Sequence, residues 1–239
     1  MLYTLFKGPF QQMERMHTPN TEPHQPLVFQ DWGLVDYSTA LERQMALVQE
    51  VAEQNTPGYL IFCTHPPVVT LGRATKPDDI VNWTGDTIEV SRGGRATYHG
   101  PSQIVVYPIL NLKFSRHGRK EKEIVGFLRT FENAIVETLK EFGIESQGRS
   151  LQKKSDSEAD ETGVWIGHRK IASLGIAVKK WVTYHGAAIN FSNDPQAFKG
   201  INPCGFQSGV MTSVEEQSAH IPPIEKFKKA LEKNLLAQL

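Results

Sequence analysis

Cys204 stands in the run Asn202-Pro203-Cys204-Gly205. Proline stiffens the chain on one side and glycine frees it on the other, so a side chain between them is presented at a fixed angle. A thiol attacks only as thiolate, and an ordinary cysteine pKa of about 8.5 means that it needs a cation, a base or a helix start beside it. The loop composition leaves a second reading open, a small buried hydrophobe. Cys63, inside the apolar run Tyr59-Leu60-Ile61-Phe62-Cys63, reads as such a hydrophobe. Lys170 is a candidate partner for Cys204, because it lies between Arg169 and the apolar pair Ile171-Ala172. A lysine in a partly apolar setting sheds its proton more readily, and its ammonium form favours a neighbouring thiolate. His99 and His185 are rival bases, and spacing alone does not rank Lys170 above them.

A second concentration of polar groups runs from Ser91 to Gln103, with Arg92, Thr97, His99 and Gln103 around the adjacent Gly93 and Gly94. Two glycines between strand-like runs let backbone approach a ligand closely. Tetrapeptide Thr-Tyr-His-Gly occurs at 97–100 and again at 183–186, which suggests two His-Gly turns facing one cleft. Cys63-Thr64-His65 has no second Cys/His pair at zinc-site spacing, so no metal is expected. Neither a phosphate-binding glycine loop nor a Gly-x-Ser-x-Gly elbow is present.

The elements that must position these groups are partly legible. A helix is expected over 38–54, with a capping box of Thr39 and Glu42, and a clearer one over 121–142 that Gly143 stops. Strands are expected at 27–29, 59–63, 68–71 and 104–110, and three short ones at 164–166, 176–178 and 187–191. The polar, mixed-charge stretch 146–161 reads as a surface loop. A short helix is expected from Thr212, and a final amphipathic one after Pro222-Pro223. Interspersed strands and helices predict an α/β (α+β) fold, a mixed sheet covered by helices.

With 239 residues the chain can bury a real core, and 39% hydrophobic with 22% charged residues is ordinary for a globular protein. The formal net charge is zero, so no nucleic-acid partner and no membrane surface is expected. No apolar run approaches the roughly 20 residues of a membrane span. Two cysteines and an N-terminus without signal-peptide character predict a cytoplasmic protein. Residues 1–26 are expected to form a loose extension and 27–239 a single catalytic domain.

The ordered motifs Arg92-Gly93-Gly94-Arg95-Ala96-Thr97-Tyr98-His99-Gly100-Pro101-Ser102-Gln103, Arg169-Lys170-Ile171-Ala172-Ser173-Leu174-Gly175, Thr183-Tyr184-His185-Gly186-Ala187-Ala188-Ile189-Asn190 and Ile201-Asn202-Pro203-Cys204-Gly205 resemble those of the lipoyl(octanoyl) transferases. His65-Pro66-Pro67-Val68-Val69-Thr70-Leu71-Gly72-Arg73 fits the same family. Arg95, where the family usually has Gln, and Ser102, where it usually has Gly, are departures. The resemblance implies the biotin/lipoate protein ligase fold and transfer of an octanoyl group from acyl carrier protein to a lysine of a lipoyl domain. Such acceptors are E2 subunits of 2-oxoacid dehydrogenases and the glycine cleavage H protein. It implies catalysis through a Cys204 thioester, with Lys170 completing a dyad, and no cofactor. Substrate is expected against Arg92, Gly93, Gly94, Arg95, Ala96, Thr97, Tyr98, His99, Ser173, Leu174, Gly175, Gly186, Ala187 and Ala188. The alternatives are an ATP-dependent lipoate-protein ligase on the same fold, a Cys/His hydrolase and a non-catalytic acyl binder.

Overall fold

The computed structural model describes residues 26–116, 119–150 and 160–239. The expected 1–26 extension (Pro26 apart) and positions 151–159 of the expected loop lie outside the described residues. In chain order the elements are β1 (Val28–Leu34), α1 (Tyr37–Gln54), β2 (Gly58–Thr64), β3 (Val68–Leu71), β4 (Thr87–Glu89), β5 (Thr97–His99) and β6 (Gln103–Leu110). They continue with α2 (Ile124–Glu141), β7 (Gln147–Gly148), β8 (Gly163–Ile166), β9 (Arg169–Lys179), β10 (Val182–Asn190), α3 (Val214–Gln217) and α4 (Ile224–Gln238).

Among the described residues, seven strands form one sheet in the order β1-β2-β6-β10-β9-β8-β7. Only β1 and β2 run parallel in it, and the other pairs are antiparallel, so the sheet is mixed as expected. A smaller sheet, β4-β3-β5, stands beside it. Side chains alternate across a strand, and the large sheet uses that alternation to build two cores. Leu60, Phe62, Ile104, Val106 and Ile189 pack with Phe127, Phe131, Ile135 and Leu139 of α2 and with Phe227, Leu231 and Leu235 of α4. Ile61, Val105, Tyr107, Ile109 and Ala188 pack with Ala40, Val48 and Val51 of α1. Cys63 belongs to this second core, as its apolar strand suggested. Each fully buried aliphatic or aromatic side chain contributes about 1.5–3 kcal/mol.

Four local expectations change. Helix α1 starts at Tyr37 after Asp36, with no side-chain cap, so Thr39 and Glu42 lie inside the helix. Tyr37 is buried and meets His185 through its hydroxyl, and that packing extends the first turn. The segment expected to separate two short strands, 169–175, is itself strand, and β9 and β10 form one long hairpin paired from Val182↔Lys179 to Ile189↔Ala172. Ser173, Gly175 and His185 interrupt the apolar pattern where they line the site, and Thr183 where its hydroxyl bonds to the backbone of Pro108 and Leu110. Both Thr-Tyr-His segments are strand rather than turn, in β5 and β10. Gln147–Gly148, expected in a loop, pairs with β8 as an edge strand.

Candidate active site

Cys204 occupies the middle of a 3-10 turn, Pro203–Gly205, at φ 57° and ψ 18°. A non-glycine residue in the left-handed region costs about 1–3 kcal/mol and persists only where its surroundings over-determine it. Here the Cys204 N–H donates to the Ala96 carbonyl at 2.8 Å, and its own carbonyl accepts the Asp160 N–H at 2.9 Å. Two residues earlier, the Asn202 N–H donates to the Asp79 carbonyl at 2.8 Å and its side-chain amide to the Asp78 carbonyl at 2.8 Å. Arg95 grips the same two aspartates, at 2.6 Å from Asp79 and 3.1 Å from Asp78. The departure at position 95 therefore supplies a buried ion pair that anchors the turn carrying Cys204. The thiol is 6% exposed, and its polar neighbour is the Ser173 hydroxyl at 3.9 Å.

Lys170 points inward from β9 and is 0% exposed. Its Nζ donates to the Asp160 carbonyl at 2.8 Å. Asp160 thus gives its N–H to Cys204 and its C=O to Lys170, so the two predicted partners hang on opposite ends of a single residue. The Lys170 backbone is tied as well: its carbonyl accepts the Thr212 N–H at 3.0 Å. Gly163 on β8 is needed for this arrangement. A Cβ there would lie 2.9 Å from Lys170 Cε and 2.2 Å from the Ala172 carbonyl oxygen, at a φ of +144°.

A narrow recess opens beside the sulfur, lined by Cys204, Ser173, Leu174, Gly175, Gly186, Ala187 and Ala188 on one side. Arg92, Arg95, Thr97, His99, Asp160, Tyr37, Val105, Tyr107 and His185 complete it. About 20 Å³ of it has room for the centre of a water molecule, roughly a single water. That is less room than an eight-carbon chain fills, so the lining side chains must move apart before such a chain can enter. Gly93, Gly94, Ala96 and Tyr98 do not line it. The Gly93 N–H donates to the Ile176 carbonyl at 3.0 Å and the Gly94 carbonyl accepts from Ala74, so the glycine pair docks the loop onto β9 and β3. Gly175 is the matching gap on the strand, since a Cβ there would come within 2.9 Å of the Gly93 carbonyl oxygen. Tyr98 turns away to Trp83 and Phe198, with its hydroxyl on Asp194.

Several polar groups stand in or behind the lining, with Arg92, Arg95 and Asp160 as its charged residues. Arg92 is buried and donates to Thr70 O, Thr70 Oγ1, Gly93 O and Arg95 O. With both lone pairs of Thr70 Oγ1 taken by Arg92, that hydroxyl donates to His99 Nε2 at 3.2 Å. His65 Nδ1 donates to the Val35 carbonyl at 2.7 Å, so its Nε2 accepts from the Tyr107 hydroxyl at 2.7 Å. His185 Nδ1 meets the Tyr37 hydroxyl at 3.2 Å. Burial, reinforced by the Arg92 charge, pulls His185 down to about 3. Burial, then the neighbouring His65 and Arg92, holds His99 well below the usual histidine range. Both rival bases are neutral rings in the recess, and neither bonds to the sulfur. Sequence reasoning missed Tyr37, Tyr107 and Asp160. Asp160 gave no signal, because it stood in a polar stretch that looked like plain surface.

Residues 36–236 match the family model described as the lipoyl protein ligase A/B catalytic domain. The chain belongs to that family. An octanoyltransferase from Bdellovibrio bacteriovorus is 53% identical over 216 residues, covering 89% of this chain and 99% of the relative. One from Laribacter hongkongensis is 39% identical over 185 residues, covering 77% and 82%. Among solved structures, a putative lipoate protein ligase from T. acidophilum superposes with a TM-score of 0.65 at 17% identity, covering 90% of this chain and 85% of that one. A lipoate-protein ligase A bound with ATP superposes with a TM-score of 0.61, also at 17% identity, covering 87% and 83%. These likenesses establish the shared fold, the one that the motifs implied. The family's ligase and transferase branches thus share one scaffold, and only the site tells them apart. Among the described residues no helix is long and apolar enough to cross a membrane.

Proposed function

We propose that this protein is an octanoyltransferase that carries the acyl group as a thioester on Cys204 before passing it to a lysine of a lipoyl domain. One observation supports this reading above the others: Cys204 and Lys170 are held by the two ends of Asp160, and Cys204 and Asp160 line a narrow recess with Leu174, Ala187 and Ala188 in its wall. A ligase that activates its acid with ATP has no use for a strained thiol there. The transferase relatives point the same way.

The proposed cycle needs only this chain's own groups. Lys170 as ammonium stabilises the Cys204 thiolate. The thiolate attacks the donor thioester carbonyl; the bond from carbon to the pantetheine sulfur breaks, and that sulfur takes the Lys170 proton. Lys170, now neutral, receives a proton from the incoming lysine amine as it attacks. The carbon–nitrogen bond forms, the bond to Cys204 breaks, and the pair returns to thiolate and ammonium. Acid–base help of this kind is worth about 10²–10⁴-fold. The thioester retains the donor's activation, so no ATP enters. Backbone N–H groups near Gly175 or Gly186 stabilise the tetrahedral oxyanion, at about 3 kcal/mol per donor. The chain gains about 0.8 kcal/mol for each methylene that the recess buries. Octanoyl-acyl carrier protein is the proposed donor, with E2 lipoyl domains and the glycine cleavage H protein as acceptors in the cytoplasm.

The test is octanoyl transfer to a purified lipoyl domain from octanoyl-acyl carrier protein, with and without ATP. Equal transfer in both is expected. Transfer that requires ATP and free octanoate would place the chain among the ligases instead.

A further inference from the structure

Lys170 is buried, and the hydrogen bond of its Nζ goes to a neutral carbonyl rather than to a carboxylate. An isolated buried ammonium is strongly disfavoured. What surrounds it instead is aromatic. Its Nζ lies 5.3 Å from the Trp165 ring centroid and 5.8 Å from that of Phe206. Those two rings meet edge to face, with centroids 5.3 Å apart and planes at 74°. Trp165 is fixed on β8 by its indole N–H, which donates to the Glu161 carbonyl at 2.7 Å. Phe206 directly follows the Cys204 turn, with its N–H on the Pro203 carbonyl at 3.0 Å. The corner of rings therefore lies against Lys170 and is joined through the chain to the turn that carries Cys204.

We infer that Trp165 and Phe206 are positioning residues that hold Lys170 as the ammonium through their ring faces and thereby keep Cys204 ionised. The inference rests on the dyad reading above. A ring face attracts a cation without taking its proton, and most strongly where water is excluded. A carboxylate in the same place would pair with the ammonium and compete with the thiolate for it. With rings alone, the thiolate is the anion left for Lys170 to face, and the amine can still give up its proton when the acceptor arrives.

Arg149 shares the Trp165 ring with Lys170, at 4.4 Å from its centroid, and the remaining charged groups near the dyad are engaged elsewhere. Arg169 pairs with Glu216, and Arg95 with Asp78 and Asp79. Glu132 accepts the backbone N–H groups of Ser150 and Gly163, and Asp160 Oδ1 accepts that of Thr162.

The experiment follows alkylation of Cys204 by iodoacetamide across pH 5–10, read by mass on the peptide that contains it. Loss of a ring raises the pH at which the thiol becomes reactive, because a less stabilised ammonium gives its proton back to sulfur. Trp165→Leu and Phe206→Leu are each expected to move the midpoint up by about one pH unit. Trp165→Phe, which keeps a ring, moves it much less. Transfer to a lipoyl domain at pH 7 falls about tenfold in the two leucine variants. Phe206 is partly exposed, so its variant serves where loss of Trp165 unfolds β8. A purely structural role would slow alkylation at every pH and leave the midpoint in place. An unmoved midpoint in folded leucine variants, with a raised one in Lys170→Ala, overturns the aromatic role alone. An unmoved midpoint in Lys170→Ala as well overturns the dyad beneath it.

Discussion

At the scale of single residues, the account turns on a proton shared by Cys204 and Lys170, with three buried histidines standing by as neutral groups. Arginine keeps the charge of Lys170 but cannot release a proton. Lys170→Arg is therefore expected to form the acyl-enzyme measurably while transfer to the amine falls about 10²-fold or more; single-turnover kinetics of the two half-reactions separate the effects. The histidines make a prediction about stability. Their folded pKa values lie below the usual 6.5, for His185 at about 3. Below pH 6.5 the unfolded chain binds protons that the folded chain refuses, so stability is complete above about pH 6.5. It is lost as pH falls toward about 3, with a slope of up to about 1.4 kcal/mol per pH unit for each histidine. Denaturant titrations from pH 7 to 4 on native protein and on His185→Gln should show a shallower acid slope in the variant. Equal slopes would mean that His185 is not buried neutral.

At the scale of elements, β9, β10 and the Pro203–Gly205 turn bring the chemistry together. The turn was legible in the sequence because proline and glycine flank Cys204; the glycine pair was expected to approach a ligand and instead docks its loop onto β9. The continuity of β9 and β10 was not legible, since Ser173, Gly175 and His185 break the apolar alternation to serve the recess and Thr183 breaks it to bond the β6 backbone. Asp79 was not legible either, because its role depends on Arg95 from a distant loop. Removing one member of a buried ion pair leaves the other uncompensated, at about 3–5 kcal/mol. Asp79→Ala should accordingly lower Tm by roughly 10 °C. Pairing Asp79→Asn with Arg95→Gln should recover much of that loss in calorimetry. A double variant as unstable as the sum of the singles would show that Arg95 and Asp79 do not act as a pair.

At the scale of the molecule, one mixed sheet with helices on both faces is shared with a lipoate-protein ligase A bound with ATP, while the sequence relatives are octanoyltransferases. Fold class was readable from interspersed helix and strand patterns. The alternation that feeds two cores was readable from Leu60 to Phe62 and from Ile104 to Tyr107. The choice of chemistry was not a property of the fold. It came from ordered motifs and from the way Asp160 gathers Cys204 and Lys170, a contact between segments far apart in the chain. The most direct measurement is the intact mass of the protein after mixing with octanoyl-acyl carrier protein, without ATP and without an acceptor. The expected result is a single octanoyl adduct that maps to Cys204, disappears in Cys204→Ala and discharges when a lipoyl domain is added. A native protein that stays unmodified, or a Cys204→Ala variant that still transfers at the native rate, would contradict the account.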